Sequence, residues 1–525
     1  MTEKRRIVLN IVATYGRSLY ALVLGLFCGR WALMALGEVD FGLYGLIGGL
    51  IVFMTFFNGI LAGANARFYA FSVGAAKVAE DKILAIEECR HWFNTALSVH
   101  IVIPLVIMAI GYPLGEYAVR NWLTIPIDRV EACVWVFRFV CVSSFVAMIS
   151  VPFSAMYTAK QYIAELTIYG VIATTAHFII LYYMVSHPGV WLTKYAFWSC
   201  LMAVVPQVII CFRALCVFPE CHIRLSYMWD KQRIKRISVF GFWQAFGNFC
   251  GMLRVQGMSI VVNKFFGAAM NAAQSLGNSV QGHCVSLAAA MQGAFTPVIT
   301  QACGAGDYKK MNEYVIRTCK FNMVLSLIFI LPLSLELPMI MKLWLKTPPD
   351  FAVGLCYCAL VLYLIKACTV GHMVAVNAKG AISGYYSVLS GINICTVPIA
   401  VAVGFLWRNV YMMMGAVIFM EIINSIGRIY FAKRETDTSV RSWVTSVLMP
   451  VVFVGFICIV VGAIPRMLLN SSLVRLGATT ITCEFVFFPL VWCVVLSSDE
   501  KQFLIDKIRS RLDKLRCVTN AELVV

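Results

Sequence analysis

Charge is almost absent from long stretches of this sequence, and that absence dictates the kind of fold it can adopt. Apolar runs of spanning length lie at about 7–29, 41–63, 93–112, 131–157, 163–185, 191–217, 238–262, 272–300, 316–335, 351–376, 381–405, 410–431, 443–463 and 474–496. A helix of ~20 apolar residues crosses the hydrocarbon core of a bilayer and satisfies its own backbone hydrogen bonds while doing so. Charged residues make up 13% of the 525 and mean hydropathy is +0.81, whereas a soluble domain carries ~25% charge. So few charges cannot cover a water-facing surface. The expected fold is an all-α polytopic membrane protein with about fourteen spans.

Loop charge tests that count independently. If the N-terminus is cytoplasmic and every run crosses, the inside segments hold 27 Lys and Arg residues and the outside segments 10. The excess follows the positive-inside rule. Both termini are expected in the cytoplasm, with 498–525 a short amphipathic tail on the inner surface. The net charge of +17 therefore reflects topology rather than nucleic-acid binding, because the basic residues lie between apolar runs and not along one soluble face. The N-terminal Lys4-Arg5-Arg6 followed by an apolar run imitates a secretion signal, but the run is too long and lacks a cleavage site, so it reads as the first span. The 20 cysteines sit mostly in apolar stretches without metal-ligand spacing, and no metal site is expected.

A repeat appears at an offset of 230 residues: Gly37 matches Gly267, Gly74-Ala75 matches Gly304-Ala305, and Cys89-Arg90 matches Cys319-Lys320. The chain divides into two six-helix units, 1–218 and 219–431, then a spanning pair at 432–497 and the tail. Repeats of this kind place transport sites at the interface of the halves.

Several blocks carry a family likeness. Gly29-Arg30-Trp31-Ala32-Leu33, Ala35 to Tyr44, Gly48-Gly49 and Ala66-Arg67-Phe68 form the first; Phe266-Gly267, Asn271-Ala272, Gln281-Gly282, Phe295-Thr296-Pro297 and Gly306-Asp307-Tyr308 the second; Asn377-Ala378-Lys379-Gly380 the third. Together they resemble the Wzx-type polysaccharide flippases of the multidrug/oligosaccharidyl-lipid/polysaccharide exporter superfamily. The resemblance implies two pseudo-symmetric bundles (a MATE-like V) around a central cavity that opens alternately to each side.

Ionisable groups within spans are costly and mark pathways. Arg17, Arg254 and Lys366 lie deep in their runs and Arg138 less so, whereas Arg213, Arg428, Glu165, Glu336 and Glu484 lie near run ends, where snorkelling accounts for them. Helical spacing adds polar stripes: Asn10, Thr14 and Arg17 on the first span, Asn58 with Tyr44 and Thr55 on the second, Asn248 with Gly251 and Arg254 on the seventh, and Asn278 with Gln274 and Gln281 on the eighth. Small and polar residues also serve helix packing, but a guanidinium in mid-span favours a wet cavity. These corresponding helices are expected to face one another across it.

Guanidinium forks match phosphate oxygens. The expected substrate is a lipid-linked oligosaccharide whose diphosphate is held by Arg17 and Arg254, with Lys366, Arg138, Asn248, Asn278, Gln281 and Asn58 lining the cavity, and Arg30 and Arg67 at span ends as further candidates. The alternative is a cation-coupled exporter of drugs, which needs cavity carboxylates; Glu421 is the one acidic candidate. No clustered acid–base set or nucleotide loop suggests an enzyme, and no cofactor is expected beyond a coupling Na⁺ or H⁺. The expected setting is the bacterial cytoplasmic membrane, as a monomer in contact with membrane lipids, linked in function to glycosyltransferases and a polymerase.

Overall fold

The computed structural model describes residues 3–502 and 505, apart from 51, 79, 124, 188, 190, 346–348 and 350; the expected tail helix lies almost wholly outside the described residues. Every regular element among the described residues is helical. The first half comprises α1 (Glu3–Leu50), α2 (Val52–Ala76), α3 (Lys82–Tyr117), α4 (Val130–Ala159), α5 (Ile163–Ser186) and α6 (Leu192–Val217). The second comprises α7 (Lys231–Gly304), α8 (Tyr308–Leu345), α9 (Ala352–Ala367), α10 (Val370–Lys379), α11 (Ile382–Trp407) and α12 (Val410–Thr436). The chain then runs through α13 (Val440–Trp443), α14 (Met449–Gly462), α15 (Ile464–Leu468) and α16 (Leu473–Leu490).

Among the described residues nine helices, or ten with the bent pair α9–α10, are long and apolar enough to cross a membrane. They coincide with ten of the fourteen expected runs; the other four runs fall on α1, α2 and α7. There the sequence suggested small loops, whereas the structure has a helix broken at one residue. Gly37 has φ 75°, ψ 170° and Gly267 has φ 86°, ψ 176°. That region is open almost only to glycine. The two breaks sit 230 residues apart, so the repeat legible in sequence recurs as a repeated backbone device.

The α9–α10 pair bends by 43°. Its freed carbonyls are satisfied from neighbouring helices: Asn322 Nδ2 donates to Ala367 O (3.1 Å) and Trp443 Nε1 to Cys368 O (3.0 Å). A broken helix survives at membrane depth only where such partners exist. The terminal helices are tied to α8 at two levels. Glu336, fully buried at a bend of α8, accepts from Arg475 Nη2 (2.7 Å) and Thr479 Oγ1 (3.0 Å). Further along, Lys320 Nζ donates to Glu500 Oε2 (2.9 Å). Span-end snorkelling was the expectation for Glu336, and the buried pair replaces it. A lone carboxylate there would be prohibitive.

The two halves meet chiefly at the end that carries the basic loops. One buried cluster joins Phe68, Phe93 and Phe153 of the first half to Phe240, Tyr385 and Phe431 of the second, whereas most of the others belong to one half alone. At this end α2 crosses the second limb of α7 with backbones touching. A Cβ on Gly74 would lie 1.9 Å from Gln301 O, and one on Gly304 would lie 2.1 Å from Phe71 O. Phe71 and Gln301 are themselves 230 residues apart, so the crossing has the pseudo-twofold symmetry of the repeat. Arg67 bolts the seam by donating to the carbonyls of Asn377 (3.1 Å), Ala378 (3.2 Å) and Lys379 (3.1 Å) at the C-terminus of α10. Orphan carbonyls at a helix end carry partial negative charge, which a guanidinium neutralises.

Candidate functional site

The polar stripes on the two limbs of α7 do converge on a cavity. Its other walls come from α9, α11 and α12 of the same half rather than from α1 and α2. The cavity has a volume of about 510 Å³. Asn248 and Arg254 enter from the first limb, Gln274, Asn278 and Gln281 from the second, and Lys366 from α9. Five of the expected site residues, Arg254, Lys366, Asn248, Asn278 and Gln281, thus share one chamber.

Its floor is an ion-pair network. Arg254 Nη1 donates to Glu421 Oε2 (2.7 Å), and Arg428 Nη2 donates to Glu421 Oε1 (2.8 Å). Arg428 Nη1 also donates to Thr369 Oγ1 and Ser425 Oγ, each at 3.2 Å. Each carboxylate oxygen therefore has a guanidinium partner, which is the condition for burying a charge. Lys366 extends toward this group, but its ammonium makes no hydrogen bond with a described residue and stays open to the cavity. The charged lining is Arg254, Lys366 and Arg428 against Glu421, so the chamber carries three cations and one anion.

Neutral polar groups complete the wall. Gln274 Oε1, Ser390 Oγ and Asn424 Oδ1 are buried without a hydrogen-bond partner among the described residues. Asn424 Nδ2 donates to Asn393 Oδ1 (3.0 Å) and Tyr386 Oη to Asn377 Oδ1 (3.3 Å). An unpaired buried polar atom costs ~1–3 kcal/mol, which a hydroxyl-bearing ligand or water relieves. The chamber offers positive charge together with spare amide and hydroxyl groups.

The remaining expected residues lie elsewhere. Arg17 projects from α1 against α5, where a Cβ on Gly170 would come within 2.7 Å of its guanidinium, and it does not face Arg254. The pairing of Arg17 with Arg254 across one chamber is therefore absent from this conformation, because α1 packs on α5 rather than over the cavity. Arg138 is tied to Glu116 (3.1 Å) beside Arg120, and its guanidinium stacks on Trp135 at 5.0 Å. Asn58 lies on α2 outside the chamber, its Oδ1 without a hydrogen-bond partner among the described residues. Arg67 belongs to the seam. The side chain of Arg30 lies outside the described residues. Arg428, expected to snorkel from a run end, is 8% exposed and sits in the network instead. A signal for it existed: Glu421, Asn424, Ser425 and Arg428 fall at i, i+3, i+4 and i+7, one polar face of α12.

Residues 245–406 match the MatE family model, a stretch that runs from the first limb of α7 to the end of α11 and includes most of the chamber. No curated protein matches the sequence. Solved structures share the fold. A MATE point mutant superposes with TM-score 0.66 at 14% identity, covering 83% of this chain and 97% of that one. A multidrug resistance MATE family transporter of the MOP superfamily, in an outward-facing conformation, superposes with TM-score 0.65 at 13% identity and the same coverage. A MOP superfamily transporter from Pyrococcus furiosus, for which reversed polarity of the binding pocket suggests a different function, superposes with TM-score 0.63 at 13% identity, again over 83% and 97%. The fold of this chain is that of the MATE transporters.

Proposed function

We propose that this chain, which has the MATE transporter fold, moves a lipid-linked oligosaccharide across the membrane by alternating access. In this reading the diphosphate of the substrate is drawn to Arg254 and Lys366, and Arg428 completes the cationic wall. The observation that carries the reading is the sign of the chamber: three cations face one carboxylate, and that carboxylate is already engaged by two arginines. A cationic drug entering such a site meets net repulsion, whereas a phosphate meets a free ammonium and guanidinium N–H groups. The unpartnered amide and hydroxyl groups suit the polyhydroxyl surface of a glycan.

Sugar units are bulky, so the glycan occupies space beyond the 510 Å³ chamber, between the halves, while the acyl chain remains in lipid. The conformation fits a state closed at the basic end. By the positive-inside rule that end is cytoplasmic and both termini lie there. The polysaccharide role, the bacterial cytoplasmic membrane and the link to glycosyltransferases and a polymerase belong to the same reading. A cation-coupled drug exporter is the competing reading within the fold, and among the described residues Glu421 is the only lining carboxylate it has to work with.

Reconstituted protein and a fluorescent polyprenyl-diphosphate oligosaccharide separate the two. The double variant Arg254→Ala/Lys366→Ala is expected to lose at least tenfold in flipping rate, in line with ~1.4 kcal/mol or more per decade of lost anion contact. Flipping at the parent rate in that variant, or export of an organic cation by the parent without any glycan flipping, overturns the proposal.

A further inference from the structure

At the seam between the halves, near the basic end, lies a second cavity of about 680 Å³, about one turn along α7 and α11 from the chamber described above and sharing no lining residue with it. Arg67, Lys235 and Arg236 line it, and among the described residues no carboxylate does. Three other cations at this end are paired with carboxylates: Arg233 with Asp230 and Glu88 (both 2.6 Å), Arg224 with Glu87 (3.2 Å) and Arg90 with Glu87 (2.8 Å). Lys235 and Arg236, one turn into α7, are exposed and have no ion-pair partner among the described residues.

The floor of the groove is aromatic. Phe68 stacks on Trp92 with centroids 4.5 Å apart and meets Phe240 edge-on at 5.6 Å. The guanidinium of Arg67 lies over both Phe68 (4.7 Å) and Phe240 (5.1 Å). The same helix presents Val239 on the wall of the groove and Phe242 beyond it, 47% and 63% exposed. Cations at the rim, aromatics at the level where a helix enters the membrane, and an apolar face leading away describe the profile of a phospholipid: anionic phosphate, glycerol region, acyl chain. A free phosphate would use the cations and gain nothing from the aromatic floor.

We infer that this groove binds one anionic phospholipid, its phosphate between Lys235 and Arg236 and its acyl chains along Val239 and Phe242. Because Arg67 and Phe68 come from the first half and Lys235, Arg236 and Phe240 from the second, the bound lipid spans the seam. It thereby favours the conformation in which the basic end is closed.

The test is native mass spectrometry of the full chain released from nanodiscs of mixed phosphatidylglycerol and phosphatidylcholine. The parent protein is expected to retain phosphatidylglycerol over phosphatidylcholine by about tenfold. Lys235→Gln/Arg236→Gln is expected to abolish that preference while its thermal midpoint stays within a few degrees of the parent. Arg254→Ala/Lys366→Ala is expected to keep it, which separates this site from the transport chamber. Retention of the preference in the Lys235→Gln/Arg236→Gln protein, its loss only in the chamber variant, or displacement of the lipid by inorganic phosphate at millimolar level overturns the inference.

Discussion

Glu421 is the residue on which the chamber balances. It sits between two arginines, 1% exposed, with one carboxylate oxygen on Arg254 and the other on Arg428. Removing one partner of a buried pair costs ~3–5 kcal/mol because the other charge is left uncompensated. Glu421→Gln is therefore expected to lower the thermal midpoint by several degrees and to leave both guanidinium groups free for a ligand anion. Added pyrophosphate should then raise the midpoint of Glu421→Gln more than that of the parent, since a ligand that binds only the folded state stabilises it by mass action. An equal shift in both proteins speaks against an anion site here. Lys366 illustrates the same logic in reverse: it lines the open cavity with no bonded partner among the described residues, where a ligand or water can reach it.

At the scale of elements, the long helices owe their course to single residues. Gly37 and Gly267 break α1 and α7 with φ of 75° and 86°, and neither has any atom near the site a Cβ would take. Conformation, not space, requires glycine there. Gly37→Ala and Gly267→Ala are each expected to cost ~1–3 kcal/mol, with the double variant close to additive because the breaks lie in different halves. Thermal unfolding in detergent checks this, and a neutral result at either position contradicts the backbone assignment. The break between α9 and α10 works differently. Its carbonyls are rescued by Asn322 and Trp443, so that helix depends on partners from α8 and α13 and has no sequence signal of its own.

For the whole molecule the decisive contact is the crossing of α2 and α7 at Gly74 and Gly304. With Cβ positions 1.9 and 2.1 Å from opposing backbone oxygens, even alanine forces the halves apart. Gly74→Ala and Gly304→Ala are expected to fold, since each helix is undisturbed, but to populate a state open at the basic end. Spin labels placed across the seam should report a longer distance in both variants, and an unchanged distance would remove this crossing as the closing contact. In the proposed alternating cycle, a protein that cannot close one end cannot complete a turn.

Apolar length and loop charge decided, from the sequence alone, that the chain is a multi-spanning helical protein, because spanning helices satisfy their own backbone and each run is an independent statement about solvent. The 230-residue offset was legible for the same local reason: a break that only glycine can make leaves a glycine behind. Five chamber residues were legible too, four through polar periodicity on the two limbs of α7 and Lys366 through a charge deep in the run that became α9. What the sequence did not contain was which faces meet. Stripes on α1 and on α7 look alike as strings, yet α1 packs Arg17 against Gly170 of α5 while α7 turns Arg254 toward Glu421 of α12. The sign of the chamber, the bolt made by Arg67 and the crossing at Gly74 all depend on the relative rotation and approach of helices far apart in the chain. Those are fixed by side-chain packing between elements, and no periodicity within one element encodes them.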